Sequence, residues 1–253
     1  MNEHKTPPPL LMTLLEAPRA VTEVSTLLPT HALLANLPPG DGHSVLTLPG
    51  FMAGDRSMAI LRNYLEQWKY DPQPWELGRN LGLSTARDLE KLLAERLDQV
   101  YQASKRKVSL IGWSLGGLFA RELARTNPEK VRLVITLGSP MGNPKATNAW
   151  RLYEYMTGSR LHDETIQERL EKIVKPIPGI PVTSVYSKSD AVVAWQIAKA
   201  PRGKNVESIA ISGSHFGMGF NPAVLYLIAD RLRLPEGKWK PFQITGFRKL
   251  FYR

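Results

Sequence analysis

The 253-residue chain has no cysteine. That excludes disulfides, thiolate metal sites and a thiol nucleophile, and it says little about compartment. Long apolar runs are missing too. Leu10–Leu15 is far too short to cross a bilayer, and Met1–Pro9, with mixed charge and three prolines, does not read as a signal peptide. Neither an H-E-x-x-H pattern nor a G-x-G-x-x-G or lysine-bearing phosphate loop occurs. No metal, no cofactor and no nucleotide chemistry is therefore expected. A cytoplasmic location is.

Acidic charge is scarce in one part of the chain. Residues 1–100 carry a net −3 and residues 101–253 a net +13. The tail Lys238–Arg253 has five basic residues and no acidic one, interleaved with Trp239, Phe242, Phe247, Phe251 and Tyr252. Such a mixture suits packing along the body of a domain with the charged ends in water. It also suits an anionic membrane surface, so peripheral membrane contact through 238–253 stays open, whereas nucleic acid is not expected as a partner.

With 43% apolar residues, enough core material is present for one α/β domain. Leu10–Leu34 reads as one or two helices interrupted at Pro18 and Pro29. Strand-like runs fall at Ser44–Leu48, Val108–Ile111, Val131–Leu137, Pro181–Tyr186 and Val206–Ile211, and Asp71–Gly82 has room for one short strand. Between them lie amphipathic segments: one capped by Ser57 and running through Trp68, and one capped by Ser84 or Thr85 and running to about Ala103. Further segments follow the third run and cover Thr147–Met156, Glu164–Val174 and Pro222–Leu232, the last capped by Asn221. Strands alternating with helices predict a mostly parallel sheet with helices on both faces.

The stretch Lys107–Arg125, K-V-S-L-I-G-W-S-L-G-G-L-F-A-R-E-L-A-R, carries the chemistry. A buried strand runs into Gly112-Trp-Ser-Leu-Gly116 and then into a helix starting at Leu115 or Gly116. A sharp strand-to-helix turn of this kind raises a serine hydroxyl above the sheet, and its glycines make room where strand and helix converge. The helix also aims its free N–H groups at the spot where negative charge would develop. G-x-S-x-G alone is a weak signal; the flanking strand and helix strengthen it.

A serine nucleophile needs a base and an acid to orient that base. His4, His31 and His43 precede Ser114, and His162 has no acid-bearing strand end between it and the last histidine. His215, in Gly213-Ser-His-Phe-Gly217, follows the last strand and precedes the last helix. Between Ser114 and His215 the strand Val131–Leu137 is followed by no acid. Asp163, Glu164, Glu168 and Glu171 fall on a solvated helical face, and Asp190 directly follows Pro181–Tyr186. The expected triad is Ser114, Asp190 and His215. The expected oxyanion-hole donors are the backbone N–H groups of Leu115 and, from the loop Pro49-Gly-Phe-Met52, Phe51, with Met52 as runner-up.

Taken together, G-W-S-L-G-G at Gly112–Gly117, S-K-S-D at Ser187–Asp190, G-S-H-F-G at Gly213–Gly217 and L-G-S-P-M-G at Leu137–Gly142 resemble the α/β-hydrolase superfamily, on the side of the bacterial lipases and esterases. The likeness covers about Ser44–Leu232. Two positions depart from it: Pro49 stands where relatives usually carry histidine, and Met141 where lipases often do. The resemblance implies the α/β-hydrolase fold in a single domain over 1–253, with 1–42 as a helical extension and about 141–180 as a helical cap. Trp150, Leu152, Tyr155 and Met156 in that cap are candidates to line an acyl pocket.

The expected function is that of a serine hydrolase cleaving carboxylic esters of the esterase or lipase kind, acting on a small acyl ester or lipid-like substrate. A thioesterase or acyltransferase using the same triad remains an alternative. So does a non-catalytic hydrolase-fold protein bound at a membrane surface.

Overall fold

The computed structural model describes residues 6–82, 86–158, 160–161 and 163–253. Six strands form one sheet: β1 (Ser44–Leu48), β2 (Asp71–Gln73), β3 (Val108–Trp113), β4 (Val131–Leu137), β5 (Val182–Ser187) and β6 (Val206–Ile211). Their order is β2-β1-β3-β4-β5-β6 and every neighbouring pair is parallel. Parallel strands need crossovers, and the intervening helices supply them on both faces.

The alternation along each strand divides the core. Leu46 and Leu110 face a layer built by α5 (Ala86–Ser104), α6 (Leu115–Thr126) and α8 (Glu164–Val174). Val45 and Ile111, one residue along, face α3 (Leu27–Ala35), α4 (Ala59–Gln67) and α9 (Pro222–Leu232). A period of two along the strand accounts for this split. Together the parallel sheet and its two helical layers form an α/β-hydrolase fold, as expected.

Local differences have local causes. The N-terminal segment forms three helices, α1 (Leu10–Leu14), α2 (Glu16–Ser25) and α3. The breaks fall at Leu15 and Thr26, not at the prolines. Pro18 and Pro29 are each the third residue of a helix, where a missing N–H costs no intrahelical bond. Ser57 does not cap α4: it sits in a 3-10 turn, Asp55–Met58, and its hydroxyl donates to the Gly54 carbonyl at 2.8 Å. The expected caps Ser84 and Thr85 lie outside the described residues. Asn221 does cap α9, with Oδ1 accepting from the N–H of Ala223 at 2.9 Å and Val224 at 3.4 Å.

The basic tail packs onto the fold. Phe242 and Tyr252 are buried, and Arg253 exchanges two backbone hydrogen bonds with Ala210, extending the free edge of β6. Phe247, Leu250 and Phe251 stay exposed. Among the described residues no helix is long and apolar enough to cross a membrane.

Candidate active site

The carboxyl ends of parallel strands converge on one edge of the sheet, which is where open α/β sheets hold their ligands. Four such ends bring the expected site residues to one place. Ser114 directly follows β3, the loop 49–52 follows β1, Asp190 follows β5 and His215 follows β6.

Ser114 occupies φ 52°, ψ −120° at the mouth of α6. That is a left-handed conformation which L residues reach only under constraint. The constraint is the glycine set around it. A Cβ on Gly112 would lie 2.3 Å from the Gly116 carbonyl oxygen, and one on Gly116 would lie 2.2 Å from the Leu48 carbonyl oxygen. Strand, turn and helix therefore meet at backbone-to-backbone contact, and the Ser114 N–H is tied to the Leu137 carbonyl at 2.8 Å.

His215 Nδ1 lies 2.7 Å from Asp190 Oδ2. The other carboxylate oxygen, Oδ1, accepts from the backbone N–H of Val192 and of Val193, both at 2.8 Å. Both oxygens of the buried Asp190 are thus held by fixed donors. An ionised carboxylate is acceptor-only, so Nδ1 carries the proton and Nε2 keeps a lone pair. The imidazole is buried, which by itself lowers its pKa. The Asp190 charge and hydrogen bond, with a further contribution from the charge of Glu16, outweigh that and hold it above the ordinary histidine value. The Trp113 indole N–H donates to the His215 carbonyl at 3.1 Å, and Gly138 backs the ring so closely that a Cβ there would sit 3.1 Å from Nδ1.

Ser114 and His215 line one cleft with Gly50, Phe51, Met52 and Phe216. Ser114 also borders an inner pocket lined by Phe51, Leu118, Trp150, Tyr153, Leu161 and Leu170, almost entirely apolar. Leu115 lies on that wall, at the first position of α6. Of the four expected pocket residues, Trp150 lines the inner pocket and Leu152 the outer cleft. Tyr155 and Met156 point to solvent, Tyr155 with 85% of its surface exposed. The 3.6-residue turn of α7 (Trp150–Thr157) explains the difference: Tyr153, not Tyr155, shares the inward face of Trp150.

The loop after β1 approaches the nucleophile closely, with a Cβ on Gly50 reaching to 3.3 Å from Ser114 Cβ. Met52 donates its N–H to the Asn80 carbonyl at 2.6 Å, which removes the runner-up donor. Asn80, fully buried, also donates from Nδ2 to the Pro49 carbonyl at 2.8 Å. It clamps the loop from both ends, leaving Phe51 between the clamped positions. Sequence reading passed over Asn80 because it sits in what reads as a plain connection.

The remaining histidines play other parts. His31 Nδ1 pairs with the Tyr64 hydroxyl at 2.9 Å, while His4 and His162 lie outside the described residues. His43 belongs to a second Ser–His–Asp chain at the opposite edge of the sheet. Its Nε2 is 2.7 Å from Ser109 Oγ and its Nδ1 is 2.5 Å from Asp41 Oδ1. Ser109 and His43 are fully buried, so no ester reaches that hydroxyl. This chain braces β1 against β3. Among the described residues no three His, Asp or Glu side chains converge as a metal site requires.

Burial pushes His43 down to about 4, and Arg132 acts in the same direction while the Asp41 hydrogen bond opposes. The unfolded chain, with its histidine near 6.5, binds a proton that the native state refuses. The stability this histidine contributes is therefore complete above about pH 6.5 and is lost as pH falls through about 4, by on the order of 3 kcal/mol. Urea unfolding of the wild type against His43→Gln between pH 7 and 4 is expected to show a shallower acid loss in the variant.

A PGAP1-like alpha/beta domain model matches residues 83–216, which include Ser114, Asp190 and His215. Solved structures agree on the fold. Lipase B of Aspergillus fumigatus superposes with a TM-score of 0.56 at 16% identity, over 76% of this chain and 52% of the fungal chain. This chain thus spans about half the length of that lipase. An alpha/beta superfamily hydrolase from Oenococcus oeni gives 0.55 at 18%, over 76% and 94% of the two chains. Bacillus licheniformis lipase BlEst2, in its mature form, gives 0.58 at 14%, over 78% and 95%.

Proposed function

The chain belongs to the PGAP1-like alpha/beta domain family, and on that basis we propose that it works as a serine hydrolase cleaving carboxylic esters with apolar acyl groups. The observation that carries this reading is Ser114 on its strained turn, bordering both the cleft lined by His215, the partner of Asp190, and an apolar pocket lined by three aromatic rings.

In this mechanism Ser114 Oγ attacks the ester carbonyl carbon while its proton passes to His215 Nε2. Asp190 holds the resulting imidazolium. The carbonyl oxygen becomes an oxyanion facing the N–H groups of Leu115 and Phe51, where loss of one donor costs about 2.7–4 kcal/mol of transition-state stabilisation. Collapse breaks the bond to the alcohol oxygen, and the imidazolium returns its proton to the leaving alkoxide. Water, deprotonated by His215, then attacks the acyl carbon; the bond to Ser114 Oγ breaks, Oγ takes the proton back from the imidazolium, and the carboxylic acid leaves. In this reading the acyl chain, not the alcohol, occupies the inner pocket, and the apolar lining supports that assignment.

A rate profile over p-nitrophenyl esters of increasing chain length, with matched thioesters, tests the reading. kcat/KM is expected to rise with chain length until the inner pocket is filled, with oxygen esters cleaved. Cleavage of thioesters alone, or a flat profile, would rule out this substrate class.

A further inference from the structure

Helix α2 is built inside out. Its sequence, E-A-P-R-A-V-T-E-V-S, turns Val21 to water with 71% of its surface exposed, while Glu16 has none exposed. Glu16 and Glu23 are seven residues apart, two helical turns, and so share the face that meets the domain. Burying a carboxylate is costly unless its oxygens are satisfied. The loops that carry the acid and the histidine provide what satisfies them here.

Glu16 Oε1 accepts the N–H of Ala191 at 2.9 Å, the residue after Asp190. Glu16 Oε2 accepts the N–H of Phe216 at 3.1 Å, the residue after His215. One carboxylate thus bridges the two loops at the positions adjoining the pair whose side chains meet 2.7 Å apart. Glu23 holds the same histidine loop further along, accepting from the N–H of Ser214 at 2.5 Å and from Asn221 Nδ2 at 2.9 Å. Arg19, between them on the helix, donates to Glu16 Oε1 at 3.3 Å and to the carbonyl and hydroxyl of Ser189 at 2.8 and 3.0 Å. Thr13 adds a bond from its hydroxyl to the Ala191 carbonyl at 2.7 Å.

We propose that Glu16 is a positioning residue of the active site: its buried carboxylate locks the Asp190 loop to the His215 loop and supplies a second negative charge behind the imidazole. This rests on the reading of Ser114, Asp190 and His215 as the hydrolytic triad. An ordinary helix–loop contact would need neither a charge nor two acceptors aimed at two different catalytic loops. The charged groups that act on the imidazole are Asp190, from the loop after β5, and Glu16, from α2. Trp113, Gly138 and Phe216 face it without charge. Glu16 acts on His215 in the same direction as Asp190, favouring the protonated ring.

Glu16→Gln tests this, because it keeps the shape but removes the charge and turns one acceptor into a donor that faces a backbone N–H. The readouts are the His215 ring titration, followed by NMR with labelled histidine, and the pH dependence of fluorophosphonate labelling at Ser114. The expected result is a lowered His215 pKa, which moves the acid limb of labelling to lower pH. Labelling at the plateau is expected to slow roughly 10- to 100-fold as the pair loses its alignment. Glu16→Asp keeps the charge but is one methylene shorter and cannot hold both N–H groups, so the His215 pKa should stay raised while the plateau rate still falls.

A folded Glu16→Gln protein with the wild-type titration, or with the wild-type plateau rate, would overturn the proposal. If Glu16→Gln fails to fold, the decision passes to Glu16→Asp: a slowed plateau supports the proposal and a wild-type plateau rate overturns it. Should the wild type neither cleave esters nor take the label, the hydrolase reading fails. The ring titration, which needs no turnover, still decides the role of Glu16.

Discussion

Asp190→Asn is expected to lower kcat toward p-nitrophenyl esters by about 10⁴ while leaving the fold and KM nearly unchanged. The size follows from the hydrogen bonds around the side chain. Asp190 Oδ1 accepts two backbone N–H groups, those of Val192 and Val193, each at 2.8 Å. An asparagine at this position must keep its carbonyl oxygen there, since the amide nitrogen would meet two donors. Its NH2 is then forced toward His215 Nδ1, the atom 2.7 Å from the present Oδ2. The imidazole answers by accepting at Nδ1 and carrying its proton on Nε2, so that a donor points where Ser114 needs an acceptor.

The pH profile adds a second check. In the wild type the Asp190 charge holds the His215 pKa above its ordinary value despite burial, which acts the other way. Since the base works only when neutral, wild-type kcat/KM should fall on the acid side with a midpoint above about 6.5. In Asp190→Asn the charge is gone and burial remains, so that limb should move to lower pH as the plateau collapses. A variant with full activity, or with an unmoved limb, would remove Asp190 from the mechanism.

The other large effect falls on the nucleophile itself. Ser114→Ala is expected to reduce kcat by roughly 10⁴–10⁶ and to abolish labelling by a fluorophosphonate, leaving only what the oxyanion donors and the pocket supply. Stability should change little. The backbone at this position holds φ 52° through the contacts of Gly112 and Gly116 and through the bond from its N–H to the Leu137 carbonyl, none of which involves the hydroxyl. Near wild-type esterase activity in this variant would mean that Ser109, or water alone, performs the reaction. The burial of Ser109 in the second Ser–His–Asp chain argues against the first of these.

That second chain shows why side-chain distances alone do not define a site. Ser109, His43 and Asp41 have the spacing of a relay, but Ser109 is the second residue of β3 and lies inside the sheet. Ser114, five residues later, directly follows the same strand, where the chain leaves the sheet and a cleft opens. The position of a strand end relative to the sheet edge separates a brace from a candidate nucleophile.

Much of this was legible in the amino-acid order. Alternating apolar runs and turn residues are local signals, and they located β1, β4, β6, α8 and α9 at the boundaries the structure has. The elbow is also local as a pattern, because Gly112, Ser114 and Gly116 fall within five residues, with Gly112 against the Gly116 backbone. Chain order and the ends of strands then singled out Asp190 and His215, since a parallel sheet delivers each strand end to the same edge. Tertiary structure alone decided what depends on contacts between distant segments. Asn80 clamps a loop some thirty residues away, and Tyr153 rather than Tyr155 faces the pocket. Glu16 reaches two loops that are 175 and 200 residues further along the chain. In sequence Glu16 is one acid on a helix whose valines look like its buried face. It is drawn inside because the irregular backbone of both catalytic loops leaves N–H groups that only an acceptor from elsewhere satisfies, and no periodicity within α2 records where those loops will be.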